Sequence, residues 1–145
     1  MNKIILDTNA YTNLLRGKTE VLDVISVAET VYMSIFVLGE LHAGFKGGKK
    51  EKENKDILQR FLFKPTVKIL NATAETAEVI GMIKFNLKKA GNALPINDVW
   101  IAAHGIETGS VLTYDEHFKK VAGLRLWDGY DPGSSKTPQS DAGDI

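Results

Sequence analysis

Four acidic residues stand where a charge needs a reason. Asp7 ends the apolar run of "IILDTN", Glu40 lies within "FVLGELHAGF", Asp98 opens "DVWIAAHGI", and Asp115 comes two residues after "SVLT". At helical spacing the neighbours of Glu40 are Phe36, Val37, Ala43 and Gly44, all apolar or small, whereas His42 and Lys46 fall elsewhere on the helix. Glu40 is therefore expected to face inward and to need a partner, because an unpaired buried charge is costly. Asp98 has the same character, one to two turns from Ile101, Ala102 and Gly105. If the four carboxylates converge, they repel one another strongly in a low-dielectric cleft, and a divalent cation relieves that repulsion. The candidate donors are hard oxygens. The chain has no cysteine, and His42, His104 and His117 show no ligand spacing, so Mg²⁺ or Mn²⁺ is favoured over Zn²⁺. Such an ion lowers the pKa of a water and clamps the oxygens of an in-line displacement. Phosphodiester hydrolysis is chemistry that acids support without a protein nucleophile.

Each acid also has a purely structural explanation. Asp7 is suited to a cap or turn at a strand-to-helix junction. Asn97 and Asp98 are suited to capping a helix and complementing its dipole. Thr113 and Glu116 form a T-x-x-E capping box that makes Asp115 a first-turn acid. Glu40 is explained by a buried salt bridge. No single acid decides between the readings; the joint placement favours a shared site, since otherwise four independent explanations must hold together.

The elements that position these acids follow from pattern. Ile4 to Leu6 reads as a short buried strand, and Thr8 or Asn9 is expected to cap a helix running to about Arg16, stopped by Gly17. Thr19 is expected to cap a second helix, with Val21, Leu22, Ile25 and Ala28 at helical spacing. Val31 to Ile35 is rich in β-formers, "FVLGELHAGF" is helical up to Gly47-Gly48, and a charged helix runs from about Lys50 to Phe63, ended by Pro65. "TVKIL" is a third strand. Thr73 caps a long helix from Ala74 to about Ala90, "GNALPIN" is a loop, and a helix spans about Asp98 to Glu107. Strand "SVLT", a short helix from about Glu116 and a last strand "LRLW" complete the series. Strands alternating with helices predict a parallel α/β sheet, and their continuously apolar character predicts burial on both faces. In such a sheet ligands bind beyond the carboxyl ends of the strands, which is the edge where Asp7 and Asp115 fall.

The 145 residues suit one domain, and 43% apolar with 25% charged residues is an ordinary globular composition. The expected division is a domain over 1–128 and a disordered tail over 129–145, where Gly, Pro, Ser and Asp leave little to bury. No apolar run approaches bilayer-spanning length, and only three apolar residues lie between Lys3 and Asp7, too few for a signal-peptide core. With cysteine absent, a soluble cytoplasmic protein without membrane association is expected. Eighteen basic and eighteen acidic residues cancel, so global charge lends nucleic-acid binding no support. The one local basic patch is Lys46, Lys49, Lys50, Lys52 and Lys55, interleaved with Glu51 and Glu53, a pattern also common on solvated helix faces.

"LDTN", "LGELHAG" around Glu40, "PINDVWIAAHG" around Asp98 and "VLTYDEHF" around Asp115 resemble the PIN-domain family, and more narrowly the VapC-type ribonuclease toxins of toxin–antitoxin modules. The resemblance runs from about Lys3 to Trp127. It implies a PIN-like three-layer α/β fold, with a parallel sheet of four to five strands flanked by helices and an acidic pocket for Mg²⁺ or Mn²⁺. It further implies that Asp7 and Asp98 are core metal ligands, that Glu40 ligates directly or through water, and that Asp115 is the most variable contributor. Thr8 or Asn9 would support the metal shell, with Thr113 behind it. The activity implied is hydrolysis of RNA by metal-activated water, in a homodimer paired with a small antitoxin protein. RNA contact would then fall to Lys46, Lys49 and Lys50, with Lys84, Lys88 and Lys89 in addition. Two other readings compete. A haloacid-dehalogenase-type phosphatase needs a second acid two residues after its nucleophile, where this chain has Asn9. A non-catalytic PIN-like binding module would keep its acids for a structural ion or caps.

Overall fold

The computed structural model describes residues 3–108, 110–112 and 116–126. The elements run β1 (Lys3–Leu6), α1 (Thr8–Leu15), α2 (Thr19–Val27), β2 (Thr30–Ser34), α3 (Ile35–Phe45), α4 (Glu51–Leu62), β3 (Val67–Leu70), α5 (Ala74–Lys89), α6 (Ile96–Thr108) and β4 (Ser110–Leu112). A 3-10 helix over Glu116–Lys120 follows, its Phe118 buried in the core. The expected tail over 129–145 lies outside the described residues, as does Trp127 of the expected strand "LRLW"; of its other residues only Leu126 makes a bridge, and Leu124 and Arg125 are not in a strand.

The four strands form one parallel sheet in the order β3-β2-β1-β4, as a parallel α/β reading requires. Ile4 lies between Val31 and Ser110, and Ile5 between Tyr32 and Val111. Ile4, Ile5 and Leu6 are therefore interior, which explains an uninterrupted apolar run. Successive strands step outward from β1 to β2 to β3, and the chain then returns to the other flank of β1. The strand order reverses between β1 and β4, so the crevice of the switch point opens beyond the end of β1. The expectation of two-sided burial fails at β3. It is an edge strand with exposed Lys68, and its Ile69 is 44% exposed. An apolar run alone does not tell an edge from a centre.

Local signals set most helix ends. Gly17 adopts φ 77°, a conformation that L side chains rarely take. It turns the chain so that Lys18 N–H donates to Asn13 C=O (3.0 Å) and Gly17 N–H to Leu14 C=O (3.0 Å), a Schellman motif. Lys18 then occupies the cap position of α2, and Thr19 is its first helical residue rather than its cap. The turn leaves no room for a separate capping residue. Thr73 caps α5 as expected, in a reciprocal pair with Thr76. Asp7, not Thr8 or Asn9, caps α1: its carboxylate accepts from Ala10 N–H at 2.8 Å. α6 begins at Ile96, and the Pro95 carbonyl accepts its first helical bond. Asn97 and Asp98 thus lie inside the first turn and do not cap it.

One core joins these layers. Ile4, Leu6, Tyr11, Val31, Met33, Val37, Leu58, Phe61, Ile101 and Phe118 all belong to it. Within it the Tyr11 ring of α1 meets the Phe61 ring of α4 edge-on, with centroids 5.4 Å apart.

Candidate active site

β1 delivers Asp7 to the carboxyl edge of the sheet, and the following turn starts α1. The cap bond to Ala10 fixes one carboxylate oxygen and with it the direction of the group. Asp7 is buried at this junction. The structural reading of Asp7 and the functional one therefore coincide, because the cap holds the carboxylate at the rim of the switch-point crevice. There Asp7, Thr8, Asn9, Glu40, Asp98 and Ile101 line a cleft of about 190 Å³.

Glu40 reaches this cleft from α3. It is half-buried, at the border of a helix face formed by Val37, Leu38, Leu41 and Phe45. Ala43 and Gly44, expected beside it in the core, are exposed, so Glu40 marks the edge of the buried stripe and not its middle. The partner that burial demands is neutral: Thr8 Oγ1–H donates to Glu40 Oε1, and Asn97 Nδ2–H donates to Glu40 Oε2 at 3.0 Å. α1, α3 and α6 thereby meet at one carboxylate. By sequence Asn97 suits a cap; its part in holding Glu40 is a non-local contact with no local signature. Asp98, half-buried in the first turn of α6, lines the same cleft from a third direction. Asp115 and Thr113 lie outside the described residues.

A buried polar group joins α6 to the end of β2 and to the residue that follows β3. His104 Nε2 lies 3.2 Å from the Asn71 carbonyl, and Nδ1 lies 2.8 Å from Ser34 Oγ. Burial pushes the His104 pKa below its ordinary value, against smaller opposing effects of the Asn71 carbonyl and the Glu107 charge. No sequence pattern signals this group, since Ser34 reads as the end of a strand.

All cleft donors are oxygens, from carboxylates, a hydroxyl and an amide, which suits a hard divalent cation. Among the described residues, no three acid, histidine or cysteine side chains are gathered closely enough to hold a metal ion by themselves. Mg²⁺ fits such an open arrangement, since it keeps several waters and takes only one or two carboxylates from the protein.

The basic residues occupy a separate surface. Lys49, Lys50, Lys52 and Arg60 line a shallow depression of about 400 Å³ along α4, together with Glu53 and Asp56. Lys46 does not line it. It pairs instead with Glu51 at 3.8 Å across the turn that joins α3 to α4. The Gly47 N–H, 2.9 Å from Glu51, lowers the Glu51 pKa; slight desolvation opposes this, and Lys46 and Lys55 add to it. Lys84, Lys88 and Lys89 lie exposed on α5, with Lys89 over the Phe85 ring.

The PIN domain family matches residues 4–124. The chain belongs to the PIN-domain family. Within it, the chain is 30% identical over 131 residues to "Ribonuclease VapC2" of Haemophilus influenzae, covering 86% of this chain and 96% of that relative. It is 29% identical over 111 residues to "Ribonuclease VapC2" of Rickettsia felis, covering 74% and 81%. The fold is similar to the crystal structure of VapBC2 from Rickettsia felis bound to a DNA fragment from their promoter. That match has a TM-score of 0.78 at 26% identity and covers 87% of this chain and 99% of that one. VapBC from Salmonella typhimurium, also DNA-bound, matches with a TM-score of 0.74 at 23% identity, covering 88% and 98%, and so supports the PIN fold alone. Among the described residues no helix is long and apolar enough to cross a membrane.

Proposed function

We propose that this chain is a divalent-metal-dependent endoribonuclease, the toxin half of a toxin–antitoxin pair that acts in the cytoplasm and inhibits translation. The observation that carries this reading is the cleft at the β1–β4 switch point, where Asp7, Glu40 and Asp98 approach one space from three elements. Membership of the PIN-domain family supports it, as do relatives named as ribonucleases and as VapBC complexes. The partners are then an RNA substrate and a small antitoxin protein, and the chain acts as a homodimer.

Asp7 and Asp98 would hold a Mg²⁺ or Mn²⁺ ion, with Glu40 ligating directly or through a water and Asp115 contributing from beyond β4. Thr8, Asn9 and Thr113 would support that shell. When bound, the ion supplies Lewis acidity: it lowers the pKa of a water and offsets the charge of phosphoryl oxygens. The chain supplies position. Its α1 cap orients Asp7, and the donors Thr8 and Asn97 fix both oxygens of Glu40. The carboxylates by themselves repel a phosphodiester, so productive RNA binding requires the cation. The depression on α4 offers Lys49 and Lys50, with Lys46 nearby, to phosphates flanking the scissile bond.

RNA cleavage mapping with the purified protein tests the reading. Cleavage in Mg²⁺ is expected to stop with EDTA, and Asp98→Asn is expected to lower it at least about a hundredfold while leaving thermal melting unchanged. Full activity in that variant, or cleavage insensitive to chelation, overturns the assignment. Partner binding indifferent to chelator, with no cleavage, identifies a non-catalytic module.

A further inference from the structure

α3 and α6 carry Glu40, Asn97 and Asp98, and they are fastened to each other twice. One fastening is the Asn97–Glu40 hydrogen bond at the cleft. The other is Ser34–His104, between the residue that caps α3 and a buried ring on α6. From Ser34 the chain advances six residues to Glu40; from His104 it goes back seven to Asn97. The helices therefore pass antiparallel, with the two ties about 9–10 Å apart at the helical rise per residue. Two ties at that separation fix register and rotation together, which neither fixes alone.

The chemistry of the second tie assigns its protons. The Asn71 carbonyl can only accept, so Nε2 of His104 carries the hydrogen. In the neutral ring Nδ1 then accepts, and Ser34 Oγ–H is its donor. Ser34 Oγ in turn accepts from Phe36 N–H at 3.1 Å. The chain runs in one direction, from Phe36 N–H to Ser34 Oγ–H to His104 Nδ1, with Nε2–H directed to Asn71. Ser34 and His104 are both buried, and both are satisfied only in this arrangement. The Phe36 ring stacks on His104 (centroids 5.4 Å, 30°) and packs on Trp100 (4.9 Å), which locks the first turn of α3 against the middle of α6.

We propose that His104 is a positioning residue for the nuclease cleft, holding α6 in register with α3 so that Asn97 meets Glu40 and Asp98 reaches the cleft that Asp7 lines. The proposal rests on the nuclease reading for its catalytic consequence, but the tie itself has readouts that do not need cleavage. His104→Gln keeps one amide donor and one amide acceptor, its nitrogen able to take the place of Nε2 towards the Asn71 carbonyl, whereas His104→Leu removes both.

The experiment compares wild type, His104→Gln, His104→Leu and Ser34→Ala by nitrogen NMR and by Mg²⁺-dependent cleavage of a mixed-sequence RNA pool. In wild type the long-range proton–nitrogen spectrum is expected to show a neutral ring protonated at Nε2. The Asn97 side-chain amide is expected to exchange at least about tenfold faster in His104→Leu than in wild type, with His104→Gln within about threefold. Cleavage is expected to follow the same order, with kcat down about tenfold or more in His104→Leu, KM within about twofold, and recovery in His104→Gln. If the leucine variant does not fold, Ser34→Ala against wild type carries the same comparison. An Nδ1–H tautomer, or unchanged Asn97 exchange in a folded variant lacking the tie, overturns the proposal. Wild type that cleaves no RNA but shows the expected tautomer and Asn97 exchange refutes the nuclease reading and leaves the tie standing.

Discussion

The acidic cleft and the basic face of α4 hold charge in opposite ways. In the cleft, Asp7 is fixed by a backbone cap, and Glu40 is gripped on both oxygens by groups 32 and 57 positions away in the chain. On α4 and the turn before it, Lys49, Lys50, Lys52 and Arg60 project into solvent among Glu53 and Asp56, and Lys46 and Lys55 make long ion pairs to Glu51. The difference matches what each surface would be asked to do. Bond making tolerates errors of only a fraction of an ångström, so its groups need rigid support. Attraction of a polyanion needs charge within a Debye length and little geometry.

Substitutions at Asp7 break the comparison most sharply, because this residue is both cap and cleft acid. Asp7→Asn keeps a competent cap and is expected to cut RNA cleavage about a hundredfold or more with melting unchanged. Asp7→Ala is expected to lose the same activity and about 1 kcal/mol of stability besides, read by urea unfolding. On α4 the expected pattern is the reverse. The triple variant Lys49→Ala, Lys50→Ala, Arg60→Ala should raise KM about tenfold at low salt with kcat nearly unchanged. It should also flatten the logarithmic salt dependence of KM by roughly 0.7 for each RNA phosphate no longer neutralised. A fall in kcat without a change in salt slope would mean that α4 serves the cleft structurally.

The two regions meet through the Tyr11–Phe61 contact, and a smaller effect is expected there. The Tyr11 hydroxyl is buried without a hydrogen-bond partner among the described residues, and burial pushes its pKa up to about 12. Tyr11→Phe keeps the ring contact and removes the unsatisfied group, so stability should stay level or rise by up to about 1 kcal/mol, with cleavage unchanged. A clear loss of stability would show that the hydroxyl has a partner. The last effect is pH-dependent. The folded pKa of His104 lies below its ordinary value of 6.5, so between the two the unfolded chain binds the extra proton. Stability should therefore fall as pH drops below about 6.5, and the slope of unfolding free energy against pH should be shallower in His104→Gln.

Signals carried by a few adjacent residues are legible in the sequence. Gly17 stops α1, Thr73 caps α5, and the strand-helix alternation implies the parallel sheet. Asp7, Glu40 and Asp98 are legible as a set because each is a carboxylate among apolar neighbours, and the structure brings all three to one cleft. Contacts made across the chain are not legible. Nothing in "PIND" says that Asn97 serves Glu40, and nothing in "YMSIF" says that Ser34 leaves its strand to cap a helix and receive a histidine 70 positions away. The start of α6 at Ile96 rather than Asp98 has a related cause: Pro95 looks like part of a loop, yet its fixed φ suits the entry to a helix. The edge position of β3 depends on sheet order, which no single strand encodes.

The strand order also bears on synthesis. β1 is made well before β4, its partner across the crevice. The strand that carries Asp7 thus lacks its second neighbour until residues 110–112 have left the ribosome and paired with β1. Asp98 of the same cleft also comes late, on α6, so the cleft stays incomplete until most of the domain has been made.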